Sequence, residues 1–313
     1  MIRIGSRGSA LARWQSDYIA AELRDRGRQV SIEILVTTGD RLQRAPFMQV
    51  GTKGMFTKEI EEALADERID LAVHSLKDLP TELPEHFVVV AIPQRADARD
   101  AFVSVRHKDF AALPPGAIVG TSSLRRQAQL RALRSDLQIV ELRGNVDTRL
   151  RKLHQGQYDA IILAAAGLDR LGLAADVKEL FSSQLMCPAA GQGALAIECR
   201  TDDKSTRAIV AALDHAPTNF AVHVERAALA ALGGGCHLPV GVYCAPAGNG
   251  WTITGVVARP DGSQVLREQM ERSAESASAE DAGRAMADRL LARGAAEFLA
   301  AVEIAPSTGN GSR

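Results

Sequence analysis

Apolar residues in the first two hundred positions fall into short runs, each followed by a stretch with helical spacing. Arg3–Gly5 starts a brief strand, and Ser9 stands where an N-cap would open a helix ending near Gly27. Val30–Val36 alternates apolar and polar side chains, the pattern of a strand with one buried face. Thr57–Arg68 is helical by composition, and Ile69–Val73 follows as a strand. Phe87–Ile92 is continuously apolar, which predicts a strand buried on both faces. The order then repeats, with strands at Ala117–Gly120, Leu137–Leu142 and Asp159–Ala165. A loop-to-helix segment begins at Thr121, and a helix spans Val146–His154 with Leu150, Leu153 and His154 as its core face. Two successive β-α-β sets predict two α/β domains of similar build with mostly parallel sheets.

The segment Gln94–Val105 reads as a charged crossover between these domains, and Gly193–Cys199 as the return crossing, which makes the first domain discontinuous. Beyond residue 215 the pattern changes. Asn219–Leu232 is an amphipathic helix stopped by Gly233–Gly235. Trp251–Val257 and Gln264–Met270 read as strands joined across Pro260-Asp261-Gly262. Ala277–Leu291 reads as the final helix. The expected fold class is α/β: two similar α/β domains plus a small C-terminal α+β domain. The boundaries expected are 1–95 with 194–213, then 99–190, then 216–303, with a flexible tail at 304–313.

Composition narrows the function classes. The chain has 313 residues, 46% hydrophobic and 24% charged, as in an ordinary globular protein. Lys+Arg number 37 against 38 Asp+Glu, which argues against a dedicated nucleic-acid binder. Aromatic residues make up 4%, too few for a base-stacking platform. Cys187, Cys199, Cys236 and Cys244 form no C-x-x-C pair, so neither a structural zinc site nor a disulfide scaffold is expected. The first twenty-one residues are interrupted by Arg7, Arg13 and Asp17 and hold no apolar signal core, and no run of 18 apolar residues occurs. The expectation is a reduced, cytosolic protein with no membrane, nucleic-acid or metal partner.

Candidate chemistry lies at the ends of the predicted strands, where open α/β sheets bind ligands. His74-Ser75-Leu76-Lys77-Asp78-Leu79-Pro80 puts a base, a hydroxyl, a cation and a carboxylate directly after Val73; the bland alternative is a solvated turn. Gly120-Thr121-Ser122-Ser123-Leu124-Arg125-Arg126 places two arginines in a first helical turn, where the helix dipole disfavours them. An anion on the free amides would explain that; alternatively Ser122 or Ser123 caps the helix and the arginines face water. Arg143-Gly144-Asn145, Arg149 and Arg170 are of the same kind, and residues 121–170 hold nine Lys/Arg against five Asp/Glu. Forked donors in such numbers suit carboxylates or phosphates. Cys236, next to His237, sits beyond a triple glycine on a loop, a setting for covalent attachment. Gly191-Gln192-Gly193 imitates a dinucleotide fingerprint but follows no strand.

These residues spell out a family. The stretches R-G-S-A-L-A from Arg7, G-T-K-G-M-F from Gly51, H-S-L-K-D-L-P from His74, G-T-S-S-L-R-R from Gly120, R-G-N-V-D-T-R from Arg143, P-A-A-G-Q-G-A from Pro188 and E-R-A-A-L-A-A-L-G-G-G-C from Glu225 resemble those of the porphobilinogen deaminases, over nearly the whole chain. Gly8 and Leu238 are small departures from the family pattern.

The resemblance implies two α/β domains like type II periplasmic binding proteins and a third domain bearing the cofactor cysteine. It implies a hydroxymethylbilane synthase, a monomer, that joins four porphobilinogen molecules and releases ammonia and 1-hydroxymethylbilane. The implied cofactor is dipyrromethane on a thioether to Cys236, with no metal. Asp78 is implied as the catalytic carboxylate. Lys77, Thr121, Ser122, Ser123, Arg125, Arg126, Arg143 and Gly144 are implied around the cofactor, with Asp78 again. Arg7, Ser9, Lys53, Phe56, Arg149, Arg170 and Gln192 are implied around substrate. Two other classes stay in view: a non-catalytic two-lobed binder of small anions, and a cysteine hydrolase using Cys236 and His237.

Overall fold

The computed structural model describes residues 1–38, 57–235, 238–273 and 278–304. Strand β1 (Ile2–Arg7) leads to Ser9, whose Oγ accepts the Ala12 amide and caps helix α1 (Ala10–Asp25). Ile19, Ala20 and Leu23 form the buried face of α1. Strand β2 (Val30–Leu35) returns parallel to β1, followed by α2 (Lys58–Ala65), β3 (Leu71–Ser75) and β4 (Phe87–Ala91). The chain then crosses over and lays down β5 (Asp100–Val103), β6 (Ile118–Gly120), α3 (Leu124–Leu133), β7 (Gln138–Val140), α4 (Val146–His154), β8 (Ala160–Ala164), α5 (Ala165–Arg170) and β9 (Val177–Leu180). It crosses back to form β10 (Leu195–Arg200).

Two five-stranded sheets result, ordered β2-β1-β3-β10-β4 and β7-β6-β8-β5-β9. Each has one strand antiparallel to its neighbours: β10 in the first, β5 in the second. These are the strands that arrive over the crossovers, so each sheet is completed by chain coming from the other. The remaining strands are parallel, and their C-terminal ends carry the loops of interest.

Helices α6 (Lys204–Val210) and α7 (Ala216–Ala231) lead to an antiparallel meander of β11 (Val240–Ala247), β12 (Gly250–Ala258) and β13 (Val265–Ser273). Helices α8 (Ala279–Ala292) and α9 (Ala295–Ile304) follow. Val224, Ala228, Val242, Ile253, Met286 and Leu290 share one core between this sheet and its helices. Among the described residues no helix is long and apolar enough to cross a membrane.

The structure departs from the pattern in several places. β4 is an edge strand, and only its Ala91 is fully buried, because one flank and part of each face meet solvent. β2 is also an edge: Val30 and Ile32 pack on the α1 side, Leu35 packs on the α2 side, and Ile34 is 44% exposed. The crossover contains a buried strand, β5, inside what reads as charged linker. His154 is exposed at the end of α4, so the core face of that helix is Leu150 and Leu153, with Val146 packed against the same cluster. α8 is not the last helix: Gly294, with φ +93, turns the chain and lets Ala295 and Phe298 of α9 join the core.

α7 and α8 touch closely because Gly283 lacks a side chain; a Cβ there would stand 2.4 Å from the Val224 carbonyl oxygen. Gly283→Val is expected to lower stability by about 1–3 kcal/mol through overpacking, read as a lower urea midpoint.

Candidate functional site

β3 runs into a 3-10 turn, Leu76–Asp78, whose first residue is driven inward. Leu76 is 1% exposed, donates its amide to the Ala194 carbonyl at 3.0 Å, and packs against Gly191. Gly191 has φ +73, and a Cβ would come within 3.0 Å of Leu76 Cγ, so glycine is required there on both counts. With Leu76 buried, Lys77 is half-buried and Asp78 is exposed. Gln15 of α1 donates from Nε2 to Ser75 Oγ at 2.8 Å and secures the start of the turn.

On the second sheet, β6 ends at Gly120 and is followed by Thr121, which is buried and whose Oγ1 accepts the Ser123 amide at 3.2 Å. Ser122 Oγ donates to the Leu142 carbonyl, tying this loop to the end of β7. Ser123 Oγ accepts from the Arg126 amide and caps α3, so capping is what the described structure displays at this loop.

Arg125 and Arg126 do not face water. Arg125 Nη1 and Arg126 Nη2 each lie 2.7 Å from Asp100, and Arg126 Nε donates to Asp100 Oδ1 at 2.9 Å. Gln192 Nε2 adds a bond to the same oxygen at 2.9 Å. Asp100 is 0% exposed; burial pushes its pKa up, but the two arginines outweigh that and hold the carboxyl well below the usual carboxylate range. The anion that excuses two arginines in a first helical turn is thus the chain's own Asp100. Sequence reasoning passed over it as part of a charged crossover. The available signal was one carboxylate heading the apolar run Ala101-Phe102-Val103.

Around this core the loops of both sheets converge. Lys77 feels the charges of Asp78, Arg125, Arg126 and Asp100, and Arg149 those of Arg126 and Asp78. Burial pushes the Lys77 ammonium down to about 8; Asp78 opposes this and Arg126 adds to it. Burial also pushes Arg149 down to about 10, reinforced by Arg126 and opposed by Asp78. Four cations therefore face two carboxylates, one of which, Asp100, is already saturated with donors.

Other predicted residues stand further out. Arg170 donates from Nη2 to the Gly193 carbonyl at 2.7 Å and lies over the Trp14 ring. Arg143 pairs with Glu141 at 2.6 Å, and the Gly144 carbonyl accepts Arg149 Nε at 2.7 Å. Arg7 is half-buried at the end of β1 and Ser9 serves as a helix cap. Gln192 is fully buried with its amide engaged by Ala98, Asp100 and Arg126. Lys53, Phe56, Cys236 and His237 lie outside the described residues, as do residues 305–313 of the tail. Among the described residues no group of three His, Cys, Asp or Glu side chains is placed to hold a metal ion.

A second buried carboxylate also escaped sequence reasoning. Glu225 of α7 is 0% exposed and binds Arg95 through 2.7 and 3.1 Å contacts. It also accepts the Gly191 amide at 2.7 Å and the Cys244 amide at 2.9 Å. It thereby fastens both crossovers to the third module. Its partners lie far away in sequence, so no local pattern announces it.

Fold and site together define a two-sheet α/β protein built around a desolvated cationic cleft, with a helix-backed module joined at its crossovers. The chain belongs to the porphobilinogen deaminase family. The family model for the porphobilinogen deaminase dipyrromethane cofactor-binding domain matches residues 2–208, and that for the C-terminal domain matches residues 219–292. A porphobilinogen deaminase of Nitratidesulfovibrio vulgaris (strain DSM 19637 / Miyazaki F) is 49% identical over 304 residues, covering 96% of each chain. The protein is a transferase of tetrapyrrole biosynthesis that uses dipyrromethane.

Among solved structures, the methionine-binding protein MetQ aligns with TM-score 0.46 and 15% identity over 68% of this chain and 89% of its own. A nutrient-binding protein from Burkholderia cenocepacia bound to methionine aligns with TM-score 0.43 and 15% identity, over 67% and 90%. The fold assignment rests on sheet topology and family membership rather than on these.

The residues present suit a group that carries several carboxylates. Lys77 makes no hydrogen bond or ion pair among the described residues, and Arg125 Nε is buried without a partner. Arg149 Nε has a backbone carbonyl as its partner and no acid. Lys77 and Arg125 Nε are thus donors left over, among the described residues, after the fold has been satisfied. Asp100→Asn would strip the two buried arginines of their counter-charge, and the expected cost is about 3–5 kcal/mol. Chemical denaturation of the two purified proteins checks it; an equal midpoint would contradict the assignment.

Proposed function

We propose that the protein joins four porphobilinogen molecules head to tail onto a dipyrromethane primer held through a thioether at Cys236. Each addition releases ammonia, and hydrolysis then frees 1-hydroxymethylbilane. The observation that carries this reading is one exposed carboxylate, Asp78, standing among two buried cations, Arg125 and Arg126, and two half-buried ones, Lys77 and Arg149. When bound, the dipyrromethane supplies the pyrrole terminus to which the first substrate is joined.

In this reading Asp78 is the catalytic residue. Its carboxylate stabilises positive charge as it develops beside a pyrrole N–H and can take or return a proton there. Lys77, Thr121, Ser122, Ser123, Arg125, Arg126, Arg143 and Gly144 bind the cofactor's acetate and propionate groups. Arg7, Ser9, Arg149, Arg170, Lys53 and Phe56 serve incoming substrate. Gln192 acts by orienting Asp100 and Arg126, since its own amide is already engaged. Fixed guanidinium forks suit this work because carboxylates accumulate as the product grows, and each must find a donor in a cleft poor in water.

The domains are taken as 1–95 with 194–213, then 99–190, then 216–303. The balanced charge favours a protein that works without nucleic acid, and we infer a cytoplasmic monomer. Light scattering on the purified protein tests the last point.

Intact mass tests the reaction class. The parent is expected to exceed its sequence mass by two linked pyrrole units, and Cys236→Ser to lack the excess. No excess in either, with no ammonia released from porphobilinogen, would leave the two-lobed anion binder instead. Asp78→Asn is expected to keep the excess mass and lose at least about 100-fold in turnover, the scale of a misplaced or missing acid-base group.

Lys77 adds a pH dependence to the protein lacking its cofactor. Its charged form prevails below about 8, so rising pH through that value removes a cation from the cleft. Capture of the cofactor by the cofactor-free protein, followed by mass, is expected to slow across this interval. Lys77→Met should be slow throughout and show no such step. A parent whose capture is level from pH 7 to pH 9.5 would contradict this.

A further inference from the structure

Arg226 of α7 belongs to the third module, yet its guanidinium is spent on the first. Nη1 donates to the Leu79 carbonyl at 3.0 Å, and Nη2 donates to the Pro80 and Thr81 carbonyls at 2.5 and 3.2 Å. Among the described residues no acid pairs with it, and burial pushes its pKa down to about 10. A half-buried cation aimed at successive backbone carbonyls is an unusual use of an arginine, since a carboxylate would compensate its charge more fully. The carbonyls it holds follow Asp78 directly, and the Leu79 amide closes the 3-10 turn on the Leu76 carbonyl at 3.2 Å.

The same helix end lies against this turn a second way. Gly234 is so near Thr81 that a Cβ would stand 3.2 Å from Thr81 Oγ1, and Gly234 donates its amide to Leu229 of α7. Gly235 leads on to Cys236 in the sequence. Arg226 also adjoins Glu225, which binds both crossovers. Two consecutive residues of α7 thus seat the third module on the crossovers and on the Asp78 turn.

We propose that Arg226 is a positioning residue for Asp78: its fork clamps the backbone that follows the turn, so that the turn and the helix leading to Cys236 are held in one register. The proposal rests on the reading of Asp78 as the catalytic carboxylate. Side chains held out of place by about an ångström cost up to 100-fold in rate, without much change in ground-state affinity.

The test compares the parent holoenzyme with Arg226→Met and Arg226→Lys. Readouts are kcat and KM for porphobilinogen, intact mass, and hydrogen exchange of the peptide spanning residues 76–83. Arg226→Met is expected to exchange faster in that peptide, to keep its cofactor mass, and to lose about 10- to 100-fold in kcat with KM within about two-fold. Arg226→Lys, which keeps the charge but not the fork, is expected to fall between it and the parent. If Arg226→Met does not fold, Arg226→Lys is judged alone, with a several-fold kcat loss and faster exchange expected.

Parental kcat in a folded variant would overturn the proposal. So would unchanged exchange at 76–83, or a kcat loss no greater than the loss of cofactor mass. Failure of the underlying reading is separate: it would show as parental turnover in Asp78→Asn, whatever the exchange data say.

Discussion

The cleft depends on one carboxylate that takes no part in the proposed chemistry. Asp100 stands at the start of β5, the strand that crosses into the second sheet, and it is wholly buried. An isolated charge there would be prohibitive. With Arg125 and Arg126 in contact, attraction of roughly 4 kcal/mol per pair at 4 Å and an effective dielectric of 20 offsets much of the desolvation. The pair also satisfies the carboxylate's lone pairs. What survives is an excess of positive charge: two arginines on one acid, with Lys77 and Arg149 close enough to feel them. The fold thus creates an unbalanced cationic site from a chain whose total charge is −1.

A second carboxylate does for the modules what Asp100 does for the cleft. Glu225 gathers Arg95 from one crossover, the Gly191 amide from the other and the Cys244 amide from β11. Gln192, the next residue along, bonds to Asp100. The two buried acids are therefore linked through adjacent residues of one crossing segment. Arg95 joins in directly, since its Nε donates to the Gln192 carbonyl at 2.7 Å. A disturbance at either acid reaches the other through a few bonds. The sheets themselves are joined by two strands of chain, which is why the stapling sits at the crossings.

How much of this was legible in the sequence follows from the range of each interaction. The Ser9 cap, the bounds of α4 and the alternation of strands and helices are local, and the pattern locates them. The glycine stop after α7 is local too. Asp100, Arg95, Glu225 and Arg226 were not legible, because their partners lie 19 to 147 residues away. A buried ion pair looks, in one dimension, like two surface charges. The same limit explains the β4 error: a continuous apolar run promises burial, but only the sheet order reveals that the strand is at the edge. The arginines were recognised as a group. Which of them are already paired could not be read until β5 was seen beside α3.

The distinction between paired and unpaired cations gives the site its character. Arg125 and Arg126 are held rigid by Asp100, so the orphan Arg125 Nε points from a fixed frame. Lys77 and Arg149 form no ion pair among the described residues and are half-buried, and that burial lowers the pKa of each. A solvated lysine would bind a carboxylate by exchanging one water shell for another, with little net gain. A half-buried one has already given up part of its water, and the cost was met during folding by the packing of Leu76 and the anchoring of the turn. An arriving carboxylate then completes a site that is electrostatically unfinished. Arg226 extends this logic to geometry: it is a half-buried cation with no acid paired to it among the described residues, and its fork is engaged by three successive backbone carbonyls, so it holds the turn in place.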